Sequence, residues 1–225
     1  LNAWEYKELM DEIGTVKLPD NLTDQTDWAK EVYRTGNTQD YQLSVTNGND
    51  RLRYFVSGGY TGENGVLKTS NFKRYNFRVS VENQIKSWLR LNGNVAYSDY
   101  TYHGTGIISG TGANRGGVVT AIVNTPTYAP VWDPENPGQY YTNFYGVNIA
   151  SPAENLARTK NNKSRYDKTL ATAKLTLTPI KDLEVSSSVT FDRENGNTTN
   201  FLDPYETQNG RDNYGTGYDG RYSTT

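Results

Sequence analysis

From Gln39 onward apolar and polar residues alternate with a period of two, and the alternation runs through six segments. Tyr41, Leu43 and Val45 alternate with Gln42, Ser44 and Thr46. Leu52, Tyr54, Val56 and Tyr60 alternate with Arg53, Ser57 and Thr61. The third segment is the clearest, with Tyr75, Phe77, Val79 and Val81 set between Arg74, Asn76, Arg78, Ser80 and Glu82. Then Leu89, Leu91, Val95 and Tyr97 face Arg90, Asn92, Asn94 and Ser98. Ala171, Ala173, Leu175 and Leu177 face Thr172, Lys174 and Thr176. Last, Leu183, Val185, Val189 and Phe191 face Glu184, Ser186, Ser188 and Thr190. The pattern predicts strands over about 39–46, 51–61, 72–83, 88–102, 166–178 and 183–194.

Before Gln39 the period is that of a helix. Asn2 is placed to cap a first helix, with Glu5 three residues on, Tyr6, Leu9, Met10 and Ile13 along one face, and Gly14 as its stop. A second helical piece spans Asp27 to Tyr33, with Trp28 and Val32 four apart, and Gly36 closes it. The connections between strands differ in length. Asn47 to Asp50, Asn83 to Ser87 and Pro179 to Asp182 are tight; Gly62 to Asn71 is intermediate; His103 to Arg165 runs to 63 residues; and 195–225 is a polar tail without a strand period. Tight turns therefore gather at one end of the sheet and long loops at the other.

A sandwich with its apolar face inward and a membrane barrel with that face outward produce the same alternation. Three features favour the barrel. The strands are longer than the roughly 5 or 6 residues usual in sheets and approach the roughly 9 to 11 that cross a bilayer at a tilt. Tyr41, Tyr60, Tyr75, Tyr97 and Phe191 stand at the long-loop end of the apolar faces, where an interfacial aromatic girdle belongs. Tight turns at one end and long loops at the other match the connections of outer-membrane barrels. On this reading Tyr75, Phe77, Val79, Leu91, Val95, Tyr97, Leu175 and Leu177 face lipid, and Arg74, Arg78, Arg90 and Lys174 face the lumen. The alternative is a secreted or surface β-sandwich that binds carbohydrate.

Composition adjusts this picture in few places. Leu, Ile, Val and Phe supply 43 of 225 residues, a low share that would suggest disorder beside a large net charge, but the charge is only −2. No apolar run approaches the roughly 18 residues of a membrane helix. The absence of Cys removes disulfides and thiol chemistry, and near-neutral charge argues against a nucleic-acid partner. The charged residues of the polar face, including Arg53, Glu82, Lys168 and Glu184, need water or partners, which a barrel of about 16 to 22 strands provides. Six strands cannot enclose such a lumen, so the chain is expected to be a piece of a longer polypeptide or one protomer of a shared barrel.

The residues also carry a family likeness. The stretches Asp27 to Thr35, Gln42 to Val45, Arg53 to Tyr60, Glu63 to Lys68, Phe72 to Arg78, Trp88 to Leu91, Asn94 to Ser98 and Ser151 to Leu156 follow one another in the order of a known group. The chain resembles the SusC/RagA-type TonB-linked outer-membrane transporters of Bacteroidetes. The resemblance implies an all-β, antiparallel transmembrane barrel segment, about strands two to seven of a roughly 22-stranded barrel. Residues 1–38 would form an extracellular loop with short helices and 39–225 a partial barrel with long loops at 103–165 and 195–225. It further implies an outer-membrane location, contact with outer-membrane lipid and a SusD-like surface lipoprotein as partner. Substrates would be oligosaccharides or other glycans, or peptides, and TonB would act through a segment absent from this chain.

No catalytic residue, metal site or cofactor is expected. His103 is the sole histidine, so a histidine triad or metal cluster lacks material. Tyr128, Trp132, Tyr140, Tyr141, Phe144 and Tyr145 are the densest aromatic group, open to substrate contact, lipoprotein contact or internal packing. The glycines from Gly104 to Gly117 do not open a helix after a strand and read as a loop rather than a phosphate cradle. Asp203, Asp212 and Asp219 lack the spacing of a calcium loop and read as turn carboxylates. Arg74 and Arg78, two apart on one face, are expected to pair across strands or with a plug, or to meet an anionic substrate.

Overall fold

The computed structural model describes residues 1–14, 16–104, 118–141, 144–145, 151–201 and 217–224, with the backbone alone for 158–159, 201 and 217–224. Seven strands form one antiparallel sheet in chain order: β1 (Asn37–Gly48), β2 (Leu52–Asn64), β3 (Asn71–Lys86), β4 (Leu89–His103), β5 (Lys163–Ile180), β6 (Leu183–Phe201) and β7 (Gly217–Thr224). Every neighbour in the sheet is a neighbour in sequence, so the topology is a simple up-and-down meander. Among the described residues no second sheet lies across either face. Among the same residues no helix is long and apolar enough to cross a membrane.

The tight turns are built by local side chains. The Asn49 carboxamide oxygen accepts from the Arg51 and Leu52 amides at 2.8 and 2.9 Å, closing β1 onto β2. Gln84 donates to the Lys86 carbonyl at 2.7 Å beside the bulge that leads into β4. Asp182 adopts φ 64° in the β5–β6 turn, a left-handed conformation that Asp tolerates better than most residues.

Two expectations about this region need correction. Residues 195–225 are not a strandless tail: β6 continues to Phe201, and 217–224 form β7, paired from Glu194↔Thr224 to Phe201↔Gly217. The sheet therefore has seven strands rather than six. The physical reason is that Asn195, Gly196, Asn197, Thr198, Thr199 and Asn200 are polar on both faces, so the strand continues after the alternation has ended.

The segments outside the sheet fold together into a lobe. Helix α1 (Ala3–Ile13) starts with a reciprocal capping box between Asn2 and Glu5 and stops at Gly14 with φ 72°. Its packed stripe is Ala3, Tyr6 and Met10; Leu9 and Ile13, expected on that face, are 40 % and 55 % exposed because the helix is rolled toward Ala3. Helix α2 (Trp28–Val32) buries both Trp28 and Val32. The long loop contributes α3 (Val118–Asn124) and α4 (Pro152–Thr159), the latter capped by Ser151. One core joins Ala3, Leu18 and Trp28 to Tyr128, Ala129 and Phe144, and a second joins Val32 to Leu67, Val118 and Leu156; Ile122 packs on both.

Polar contacts lock the same join. The Trp28 indole donates to the Pro126 carbonyl at 3.0 Å, and the Thr26 hydroxyl to the Ala129 carbonyl at 2.7 Å. The Gln25 and Thr26 amides both donate to the Thr127 carbonyl. Arg34 ties the lobe to the sheet, donating to the Gly65 and Ser70 carbonyls of the β2–β3 loop at 2.9 and 2.7 Å. Trp28→Ala should therefore cost about 3–5 kcal/mol of local stability. Limited proteolysis should cut between 118 and 145 faster, with the strands still protected; equal cutting rates would contradict this account of the lobe.

Candidate functional site

The register places every apolar residue of the alternation on one face. Tyr41, Tyr60 and Tyr75 lie in one line across β1 to β3, with Val45, Val56, Val79, Val95 and Ala171 in another. The face is uncovered: Tyr41 is 63 % exposed, Leu43 76 % and Val189 71 %, with Tyr75, Phe77, Leu91, Val95, Tyr97 and Leu175 also exposed. Val79 and Leu177 on the same face are half-buried.

The aromatic line descends across the sheet. Tyr97 stands two residues below Asp99, the partner of Tyr75, and Phe191 two below Arg193, which lines up with Tyr97 through Thr169. That is four positions over three strand steps. Strands about 4.8 Å apart and tilted by about 40° need a shift of roughly one residue per strand to hold a level line. At such a tilt the rim from Tyr75 to Phe191 would run level, while Tyr41, Tyr60 and Tyr75 stay directly paired with one another across β1 to β3. From Leu89 to Tyr97 the band covers eight residue steps, about 20 Å of height at that tilt.

Above the rim the same face turns polar. Arg165 donates from Nη2 and Nε to one Asp99 oxygen at 2.7 and 3.0 Å, and Asn195 donates to Asp167 at 2.8 Å. Lys73, His103 and Lys163 continue this face on β3, β4 and β5, and His103 Nδ1 is buried without a hydrogen-bond partner.

The opposite face carries the charged residues expected there, mostly with local partners. Arg74 reaches the Thr61 hydroxyl at 3.3 Å, which itself donates to Asp40 at 2.7 Å. Arg78 donates to the Asn94 oxygen at 3.2 Å, shared with the Ser80 hydroxyl at 2.8 Å. Arg90 approaches Glu184 at 3.7 Å, and Lys168 lies between Asp192 and Glu194 at 3.6 and 3.9 Å. Lys174 lines a cleft of about 440 Å³ with Arg53, Phe55, Glu82 and Asn92, near the tight turns.

At the long-loop end of this polar face stands a group that the sequence reading missed: Phe72, Tyr100, Tyr102 and Tyr166. Phe72 and Tyr102 are 4.8 Å apart, Tyr100 and Tyr166 stack at 5.2 Å with planes 22° apart, and Tyr100 meets Tyr102 edge-on at 5.8 Å. The signal was present, since these four residues are in phase with Arg74, Ser98 and Lys168 rather than with the apolar set.

The six loop aromatics separate into two groups. Tyr128 and Phe144 are core residues at 4 % and 3 % exposure, with Tyr141 and Tyr145 packed against them. Trp132 and Tyr140 form a stacked pair at 4.5 Å across a small bridge, with Trp132 52 % exposed. Burial pushes the Tyr128 phenol well above its ordinary value, and pushes Tyr141 up to about 12, with Tyr145 adding to the latter shift. Asp24 is held below the usual carboxylate range, first by the Thr127 hydroxyl and then by the Ala3 amide. Of the remaining candidates, residues 105–117, Asp203 and Asp212 lie outside the described residues, and Asp219 pairs with Thr199 in β7.

The tyrosines give the lobe a pH dependence. Their folded values lie above the unfolded value near 10, so the folded lobe keeps protons that the unfolded chain has lost. Their contribution is intact below about pH 10 and disappears as the pH rises toward 12. Tyrosinate absorbance should show a delayed phase accompanied by loss of lobe structure; simple titration of all tyrosines near 10 would contradict it.

No protein-family model matches the chain. Over 153 residues it is 35 % identical to the TonB-dependent receptor SusC of Bacteroides thetaiotaomicron, covering 67 % of this chain and 14 % of that protein. Over 171 residues it is 30 % identical to the TonB-dependent receptor P3 of Formosa agariphila, covering 76 % of this chain and 17 % of that protein. The RagAB peptide importer in its closed-closed state is similar in fold, with a TM-score of 0.65 and 24 % identity over 88 % of this chain and 22 % of that one. The chain thus spans a small part of its curated relatives' length. With its antiparallel sheet, one apolar and one polar face and an aromatic rim, the chain belongs to the SusC/RagA-type TonB-dependent outer-membrane transporters, as a segment of the barrel wall.

Proposed function

We propose that the chain forms part of an active transporter in the outer membrane of a Bacteroidetes-type Gram-negative bacterium. The transporter imports oligomeric nutrients, oligosaccharides and other glycans or peptides, with a SusD-like lipoprotein over its mouth. The observation that carries this reading is the uncovered apolar band with its aromatic rim. Its height of about 20 Å approaches the roughly 25 Å apolar band of outer-membrane barrels. Tyr75, Phe77, Val79, Leu91, Val95, Tyr97, Leu175 and Leu177 contact lipid in this arrangement.

The opposite face lines the path. Arg74, Arg78, Arg90 and Lys174 meet water, a plug or substrate there, and the Phe72, Tyr100, Tyr102 and Tyr166 rings offer a surface for the apolar side of an oligomer. The lobe stands at the long-loop end, outside the band, with the Trp132 and Tyr140 pair available to substrate or lipoprotein. Transport needs no covalent chemistry from these residues. Energy reaches the barrel from TonB through a segment outside this chain.

Two measurements on the complete polypeptide test the reading. Val79→Arg should cost about 2–4 kcal/mol in lipid-bilayer refolding titrations, and Ser80→Arg, one residue away on the other face, much less. Equal costs would show that Val79 does not face lipid. Separately, the Tyr100→Ala and Tyr166→Ala double variant should slow uncoupler-sensitive oligomer uptake at unchanged membrane abundance. Unchanged uptake would remove these rings from the path.

A further inference from the structure

We infer that Lys73, Lys163 and Arg165, gathered around His103, form a site for the phosphate-bearing headgroup of an outer-leaflet lipid. The inference rests on the proposal that the apolar face contacts lipid. Lys73 stands two residues above Tyr75 on that face, and Arg165 is level with it in register, both lying in line with Thr101. His103 and Lys163 are paired one step higher. A lipid whose chains lie along Val79, Val95 and Ala171 would bring its headgroup past the aromatic rim and up to these cations.

The position of the patch, above the aromatic rim on the uncovered face, is joined by a lack of partners for its two lysines. Lys73 lies between Gly62 and Thr101, and Lys163 between His103 and Thr199, so no carboxylate stands opposite either ammonium. Both lysines are exposed, and no ion pair joins either to another described residue. The two carboxylates of the patch, Asp99 and Asp167, stand side by side next to Arg165; Asp99 pairs with that guanidinium, whose side chain stays 62 % exposed, and Asp167 accepts from Asn195. On the polar face Lys168 has two carboxylates within 4 Å and Arg90 has Glu184, while Arg78 meets the Asn94 amide and Lys174 stands between Asn92 and Ser188. Lys73 and Lys163 lie on the side proposed to meet the membrane, just above the aromatic rim, where phosphates lie. The Asp99 carboxylate also holds the Arg165 guanidinium in place, so one cation of the site is oriented before any lipid arrives.

The test uses the complete transporter in nanodiscs of neutral phospholipid doped with phosphorylated lipid A or with its dephosphorylated counterpart. Native mass spectrometry then reads the retained glycolipid. The wild type should retain the phosphorylated form preferentially, and K73Q/K163Q/R165Q should lose more than tenfold of that preference, each cation contributing roughly fivefold. K73R/K163R should keep it, and R51Q/K86Q/K181Q, at the tight-turn end, should leave it unchanged. An equal preference in the triple variant, or equal retention of both lipids by the wild type, overturns the site. Displacement by inorganic phosphate at matched concentration overturns the lipid assignment in favour of a free anion. Failure to insert into either nanodisc would overturn the membrane reading itself; insertion without preference overturns only this inference.

Discussion

Backbone pairing under low dielectric is the constraint on which the rest of this structure depends. A peptide group placed in hydrocarbon without a hydrogen-bond partner costs several kcal/mol, so a wall exposed to lipid must have every N–H and C=O in a ladder. The seven strands meet that demand from one neighbour to the next, with register broken only at Gln84/Lys86 and at Leu177/Ile180, both beside tight turns. Bulges are placed where the ladder is about to end, and none lies within the apolar band. The outer edges of β1 and β7 have no partner among the described residues. Closure into a barrel is the arrangement that satisfies such edges in a membrane.

That constraint separates what the sequence discloses from what it hides. Alternation reports where one face is apolar, so the segments carrying Phe77, Val95, Leu175 and Val189 are plain to read. It does not report where a strand stops. Above the rim β6 has Asn195 and Asn197 on one face and Thr198 and Asn200 on the other, and the pattern vanishes while the pairing continues. Strand β7 was invisible for the same reason. The Phe72, Tyr100, Tyr102 and Tyr166 group was hidden in a different way: each ring lies in the polar phase of its own strand, and only the register shows that the four converge. The loop aromatics stood out by density, yet density does not distinguish Tyr128, which is buried, from Trp132, which is half exposed.

The lobe follows from a second economy. Neither the segment before β1 nor the 118–145 loop carries enough apolar surface to fold alone, and each is too short to make its own core. Together they bury Trp28 against Pro126 and Tyr128 against Tyr6, and Arg34 fastens the result to the β2–β3 loop. This pairing across 98 residues of sequence leaves no local trace, because Trp28 and Val32 read equally well as a helix packing on anything apolar. Arg34 and the Tyr33–Leu67 bridge hold the end of α2 directly against the β2–β3 loop.

The two faces of the sheet finally obey different rules about charge. On the face proposed to line the lumen a charged group must remain usable by water and passing solute, and the weak, shared contacts of Arg74 with Thr61 and of Arg78 with Asn94 leave both guanidiniums accessible. On the apolar face no charge is tolerated until the rim is passed, and then Asp99, Arg165, Asp167 and Arg193 appear within a few residues of one another. The transition from Tyr97 to Asp99 is a single step along one face of one strand, 6 to 7 Å by the roughly 3.3 Å rise per residue. A soluble core boundary has no reason to be level across tilted strands, whereas a bilayer surface imposes it. The descent of the rim from Tyr75 to Phe191 is therefore the feature that ties the register of the sheet to the plane of a membrane.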